Sequence, residues 1–263
     1  MENKQNNTDK NITYGQILRR IFSIKEDAAS NEEIRDRLLS GGKITGTNMV
    51  VMVCAMLIAS VGLNTDSVAV IIGAMLISPL MGSILAMAYG TASNDMPLTL
   101  RHGFGFLIQI IISVLDATIY FALSPIKEPT AQLIARTNPT FFDVIIAIAG
   151  GIAGIVGQTR QDKSNNIIPG VAIATALMPP LCTCGYAIAN GQWRMLGGAA
   201  YLFIINMYFI YMSSCAVLSV LEIPLRKEMT KDDKKRLIKK MRRNTIIVLL
   251  PMIIVFIMLS RNQ

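Results

Sequence analysis

The chain has 263 residues, 52% of them hydrophobic and 16% charged, with a formal net charge of +8. That balance excludes an ordinary soluble domain and a disordered chain, and it points to an all-α integral membrane protein. The basic excess is local, most of it lying between two apolar runs, which suits an anionic membrane surface and argues against nucleic acid as a partner.

Residues 1–46 are polar and charged. They lack the apolar core of a signal peptide and are expected to form a cytoplasmic, amphipathic helical tail. Tyr14, Ile17, Leu18 and Ile21 recur at helical spacing beside Arg19 and Arg20, as in a helix lying at the membrane interface. Ser30 with Glu33 makes a capping box and Gly41-Gly42 a stop, which predicts a second short helix. Apolar segments that approach the roughly 20 residues needed to cross a bilayer follow at about 47–63, 67–90, 102–123, 141–157, 167–190, 197–221 and 245–260. The first six make a membrane domain over 47–221. A basic linker over 222–244 follows, with a helix started by Thr230 and Asp233, and 245–263 holds the seventh span and a short external tail.

Lysine and arginine sort by loop. With the amino terminus inside, the inner segments hold eight basic residues in the tail, Arg101, Arg160, Lys163 and ten between Arg226 and Arg243. The outer segments hold only Lys127, Arg136, Arg194 and Arg261. Cytoplasmic loops carry the basic excess, so this asymmetry predicts about seven transmembrane helices in the inner (cytoplasmic) cell membrane, amino terminus cytoplasmic and carboxyl terminus external.

The chain also resembles itself. Placing Pro79 on Pro180 sets "GAMLISPLMGSILAMAYG" (73–90) against "ATALMPPLCTCGYAIANG" (174–191). Leu76, Leu80, Ala86, Ala88 and Gly90 then meet Leu177, Leu181, Ala187, Ala189 and Gly191. In the same register Ala74, Ser78 and Gly82 fall on Thr175, Pro179 and Thr183, extending a stripe of small residues that lets helix backbones approach closely. An odd number of crossings separates the two segments, so they run in opposite directions. Spans 1–3 (about 47–123) and 4–6 (about 141–221) are therefore expected to be inverted repeats, with second and fifth spans broken by proline. Paired interruptions of this kind point to a translocation site; the structural alternative is a pair of kinks that only shape packing.

Polar residues inside the spans narrow the site. Asp116 is the only acidic residue deep in a span, a position that marks a pathway, a proton relay or an ion pair, or else a hydrogen-bonded carboxyl near the outer end. Gln109 in span three and Asn206 in span six line a common cavity or serve as interhelical glue. The candidate substrate site takes Ser78, Pro79 and Gly82 from span two and Gln109 and Asp116 from span three. Span five adds Thr175, Pro179, Pro180 and Thr183, and span six Asn206. Gly150, Gly151, Gly154 and Gly157 read as a close-packing face, since neither a preceding strand nor a following Gly-Lys-Ser/Thr makes them a phosphate loop.

Cys182 and Cys184, with Met49, Met52, Met56, Met75 and Met178, raise soft-metal transport. Residues two apart diverge on a regular helix, however, and methionine is an ordinary gap filler, so no metal site is assigned. All four cysteines, Cys54 and Cys215 included, lie in apolar segments and suggest no disulfide framework. His102 is the only histidine and no nucleophile–base pair can be proposed, so no catalytic residue, enzyme activity or cofactor is expected.

Three stretches carry a family resemblance: Gly-Ala-Met-Leu-Ile-Ser-Pro-Leu-Met-Gly at 73–82, Arg-Thr-Asn-Pro-Thr at 136–140 and Ala-Leu-Met-Pro-Pro-Leu at 176–181. With them the chain resembles domain-of-unknown-function family 389 over about residues 45–221. The resemblance implies a bacterial or archaeal integral membrane protein and little about activity. Members often carry an additional soluble domain, for which the amino-terminal part here is too short.

These residues together suggest a transporter or channel-like protein moving a small solute or ion between inverted repeats. The alternative is a non-transporting scaffold or sensor that binds anionic lipid or a cytoplasmic partner through its basic segments. Membrane lipid is the expected surrounding partner, and the small-residue faces favour a homo-oligomer, a dimer first.

Overall fold

The computed structural model describes residues 24–161, 167–226, 228 and 230–260, with backbone alone at 167–176, 231, 232, 234, 240 and 252–260. Among these residues the fold is all-helical. Ser30 Oγ accepts the Glu33 amide at 3.2 Å and starts α1 (Asn31–Gly41), and the Gly42 amide closes it by returning to Leu38 O at 3.2 Å. Thr45 caps α2 (Gly46–Asn64) in the same way. Then come α3 (Val68–Ile77), α4 (Leu80–Ala92) and α5 (Met96–Leu123). α5 begins six residues before the expected 102 because Asp95 accepts the Leu98 amide at 3.2 Å and Pro97 sits in the first turn. The short α6 (Ala131–Ala135), capped by Thr130, has no apolar periodicity to betray it in the sequence. α7 (Phe141–Thr159), α8 (Ile167–Ala189), α9 (Trp193–Val220) and α10 (Lys231–Ser260) complete the order. Reciprocal hydrogen bonds between Thr230 and Asp233 start α10, which carries the basic segment directly into the last apolar run.

Among the described residues four helices, α2, α5, α7 and α9, are long and apolar enough to cross a membrane, and α3 with α4 makes a fifth such unit bent by 47°. On α5, Leu100, Phe104, Leu107, Ile111, Leu115 and Ile119 form an outward row in which each side chain is at least 50% exposed. A row of that length is unsuited to water and suited to lipid, so the fold is compatible with a multi-pass membrane protein.

The bend in the second span lies where the sequence places it. The residue before a proline is pushed away from helical geometry, and Ser78 takes φ −71° and ψ 127° before Pro79 restarts the helix. The break expected at Pro179-Pro180 is a correction: α8 runs unbroken through both prolines. Each proline still removes one amide from the ladder, but its fixed φ is itself helical. Leu177 to Pro180 are all buried, so close packing holds this stretch in the helix where the half-buried Ser78 is free to turn.

α2 packs on α3 and α5, and α4 on α5; in the second half α7 packs on α8 and α9, and α8 on α9. The halves meet where α5 and α3 lie on α8 and where α4 lies on α9. Glycines permit the closest approaches: a Cβ at Gly185 would meet Ala117 of α5, and one at Gly151 would meet Ser213 and Ile210 of α9. Asn64 Nδ2 donates to Ser124 Oγ at 2.6 Å, tying the last residue of α2 to the residue after α5.

The segment from Asp27 to Gly42 is not a loose tail. Ile34 and Leu38 are buried with Leu85, Tyr89, Ile155 and Leu218. The Ala29 amide donates to Thr159 O at 2.8 Å and Arg37 Nη1 to Arg160 O at 2.7 Å. At the far end of α1, Gly41 lies backbone to backbone against Gly82, and His102 Nδ1 donates to Gly42 O at 3.0 Å. The expected interfacial helix at Tyr14–Ile21 lies outside the described residues, as do Lys163 and Arg261.

Candidate functional site

The break at Ser78-Pro79 is half-buried, between the buried Met75 of α3 and the buried Leu80 of α4. Ser83, one turn past the break, donates from Oγ to Gln109 Oε1 at 2.8 Å. Both residues are essentially buried, Gln109 at 1% exposure, so the pair is a polar link between α4 and α5, which also meet through the Thr91 and Thr99 hydroxyls. On α8, Thr183 is fully buried and returns its hydroxyl to Pro179 O at 2.9 Å. The Thr175 side chain lies outside the described residues, and Gly82 is covered by Gly41 of α1.

α5 and α8 run parallel. Ala117 meets Gly185, and further along Phe121 packs edge-on against Tyr186, whose hydroxyl reaches Lys127 O. A tight turn follows α8 at Asn190–Gln192, in which Gly191 takes φ +66°, a left-handed conformation that glycine adopts without strain. α9 therefore returns antiparallel to α5. Phe106 of α5 stacks on Phe203 of α9 with ring centroids 6.2 Å apart and planes 19° from parallel. Gln109 and Asn206 each follow their ring by three residues, so they lie about one turn to either side of the pair rather than face to face. Asn206 is 3% exposed.

Asp116 lies two turns beyond Gln109 on α5, within electrostatic reach of the buried Cys182 thiol. Its Oδ2 is buried without a hydrogen-bond partner, and so is the hydroxyl of Ser113 on α5, while the Ser60 hydroxyl of α2 lies against the Cys182 thiol. Among the described residues no set of three His, Cys, Asp or Glu side chains gathers as metal ligands around Cys182 and Cys184. Sequence reasoning passed over Ser60, Ser83 and Ser113. Serines are scattered through the apolar runs, and only the packing of α4 on α5 reveals that Ser83 stands opposite Gln109.

A family model described as "Domain of unknown function (DUF389)" matches residues 75–212, from the last turn of α3 into α9. The chain belongs to this family. The uncharacterized protein MJ0678 of Methanocaldococcus jannaschii is 28% identical over 208 residues, which cover 79% of this chain and 64% of that relative. The chain thus spans under two thirds of the relative's length. No solved structure matches.

In this DUF389 protein a second polar cluster closes the ends of α4 and α9. Arg226 donates its backbone amide to Ser93 O at 2.8 Å and pairs through Nη1 with Asp95 Oδ2. Burial works against ionisation of Asp95, but hydrogen bonds from Arg226 and the Leu98 amide, with the Arg226 charge, outweigh it and hold the carboxyl below its ordinary value of 3.8. A carboxyl that ionises more readily folded than unfolded adds stability that is complete above its unfolded value and is lost as pH falls through the folded one. Asp95→Asn keeps the cap on Leu98 and removes the pair. It is expected to lower the thermal midpoint at pH 7 and to converge on the wild type once pH has fallen through the carboxyl's folded value, as followed by unfolding in detergent.

Proposed function

We propose that this protein is a membrane transporter that carries a small solute or ion through a site between two inverted repeats, α2–α5 and α7–α9. The observation that carries this reading is the interrupted second span, whose break at Ser78-Pro79 lies next to the buried Ser83–Gln109 pair. Irregular backbone at membrane depth is tolerated where it lines protein or a cavity, and interrupted helices are where such carriers hold their substrates.

The packing supports the repeat. Exchanging the halves turns the α2–α5 contact into α7–α9, the α4–α5 contact into α8–α9, and the α4–α9 contact into α8–α5, all of which occur. Phe106 and Phe203 are mutual partners, each followed three residues on by a carboxamide. In this reading α8 and α10 complete seven spans, the amino terminus faces the cytoplasm, and the carboxyl terminus is external. Ser78, Pro79, Gln109, Thr183 and Asn206 frame the substrate, and Asp116 carries a proton.

The test is purified protein in liposomes, with charge movement and lumenal pH followed across inorganic ions, organic anions and amines. A saturable signal is expected in the wild type and is expected to be lost in Pro79→Ala, which lets α3 and α4 join, while that variant still purifies with an unchanged thermal midpoint. Silence of the wild type in both readouts across the panel counts against transport.

A further inference from the structure

Away from the central site, the outer face of α10 carries a row of positive charge beyond Asp233. Arg236, Lys239, Arg242 and Arg243 line a shallow groove together with Ile246 and Ile247. Positions 236, 239, 243, 246 and 250 recur three and four apart, so basic and apolar side chains share one helical face, the basic ones toward the start of the helix. All four basic side chains are exposed, and Ile246, Ile247 and Leu250 are each at least 50% exposed. Among the described residues, no carboxylate lies within ion-pair distance of any of the four cations.

The opposite face of α10 fixes which way this one points. Tyr208 donates its hydroxyl to Met241 O at 2.9 Å and meets Thr245 Oγ1 at 2.7 Å, and Tyr201 donates to Val248 O at 2.8 Å. With Met241, Thr245 and Val248 held against α9, the basic row faces away from the bundle. If Ile246, Ile247 and Leu250 meet acyl chains, Arg242 and Arg243 lie about one turn below them and Lys239 and Arg236 about one and two turns further, which spans the headgroup layer. Cations at that depth that lack a carboxylate are satisfied by phosphate, which arginine grips with paired N–H donors.

We infer that this face of α10 is a binding site for an anionic phospholipid, with Arg236, Lys239, Arg242 and Arg243 around the headgroup phosphate and Ile246, Ile247 and Leu250 along an acyl chain. The site rests on the membrane placement of α10 and is independent of whether the protein transports anything. It gives the basic segment a role that an exposed cytoplasmic linker would lack.

The test is native mass spectrometry of the full chain in neutral detergent, titrated with phosphatidylglycerol and, separately, phosphatidylcholine. Wild-type protein is expected to retain phosphatidylglycerol at least about tenfold better, and the variant with Arg236, Lys239, Arg242 and Arg243 all changed to Gln is expected to lose that preference. A charge-preserving variant, Arg236→Lys with Arg242→Lys and Arg243→Lys, should keep most of it and controls for folding. Equal retention of the two lipids by the wild type, or undiminished preference in the glutamine variant, overturns the site. Displacement of bound lipid by millimolar inorganic phosphate would show a simple anion site and overturn it as well.

Discussion

Alanine in place of Gly82 is expected to destabilise the protein by about 1–3 kcal/mol and to loosen α1 from the bundle. A Cβ at this position would fall on the carbonyl of Gly41, so backbone rather than a flexible side chain would have to yield. The strain would act where α1 ends, beside the Gly42 carbonyl that takes the His102 hydrogen bond. Gly73 on α3 is the control, since a Cβ there meets nothing within 4 Å. Gly73→Ala should be neutral or should stabilise by about 0.5–1 kcal/mol through its helix preference. Thermal unfolding in detergent gives the first number, and hydrogen exchange at the Asn31–Gly41 amides reads the second effect. Unchanged exchange in Gly82→Ala would mean that α1 is held by Ile34 and Leu38 alone. α1 rests on α4 of one half and α7 of the other, so loosening it also removes a cross-link between the two triplets.

The contrast between α1 and its environment marks where sequence reading succeeds and where it stops. Ser30, Glu33 and Gly41-Gly42 announce both ends of α1, because caps are local chemistry. Nothing local announces that Gly41 will meet Gly82, a pairing that depends on where α4 places its small-residue stripe. That stripe was legible as a close-approach face, yet its partner was not, and Gly82 lies under α1 in this conformation. The two proline sites divide for a related reason. Ser78 obeys the local rule against helix before proline, whereas around Pro179 the buried neighbours override it. The polar residues Gln109, Asp116 and Asn206 stood out because the runs around them are apolar. Their mutual geometry required the parallel packing of α5 on α8 and the return of α9, which set Gln109 and Asn206 on either side of the Phe106–Phe203 pair.

Asp116 separates a structural from a functional reading of the polar core. A buried carboxyl oxygen without a partner is paid for in stability, so Asp116→Leu is expected to raise the resting stability by about 1–3 kcal/mol. Leucine also suits the neighbourhood of Ala117 and Cys182, both fully buried. The same substitution is expected to abolish pH-coupled uptake in liposomes, and Asp116→Asn should do so while keeping the side chain's size and polarity. Retained uptake in Asp116→Asn would remove the proton-carrying role. A fall in thermal midpoint for Asp116→Leu would instead mean that the carboxyl holds α5 against α2 and α8. The expected combination, a more stable protein that no longer moves protons, is difficult to reconcile with a packing role, because packing residues lose stability when they are replaced. It fits a group placed for chemistry, at a cost the rest of the fold carries.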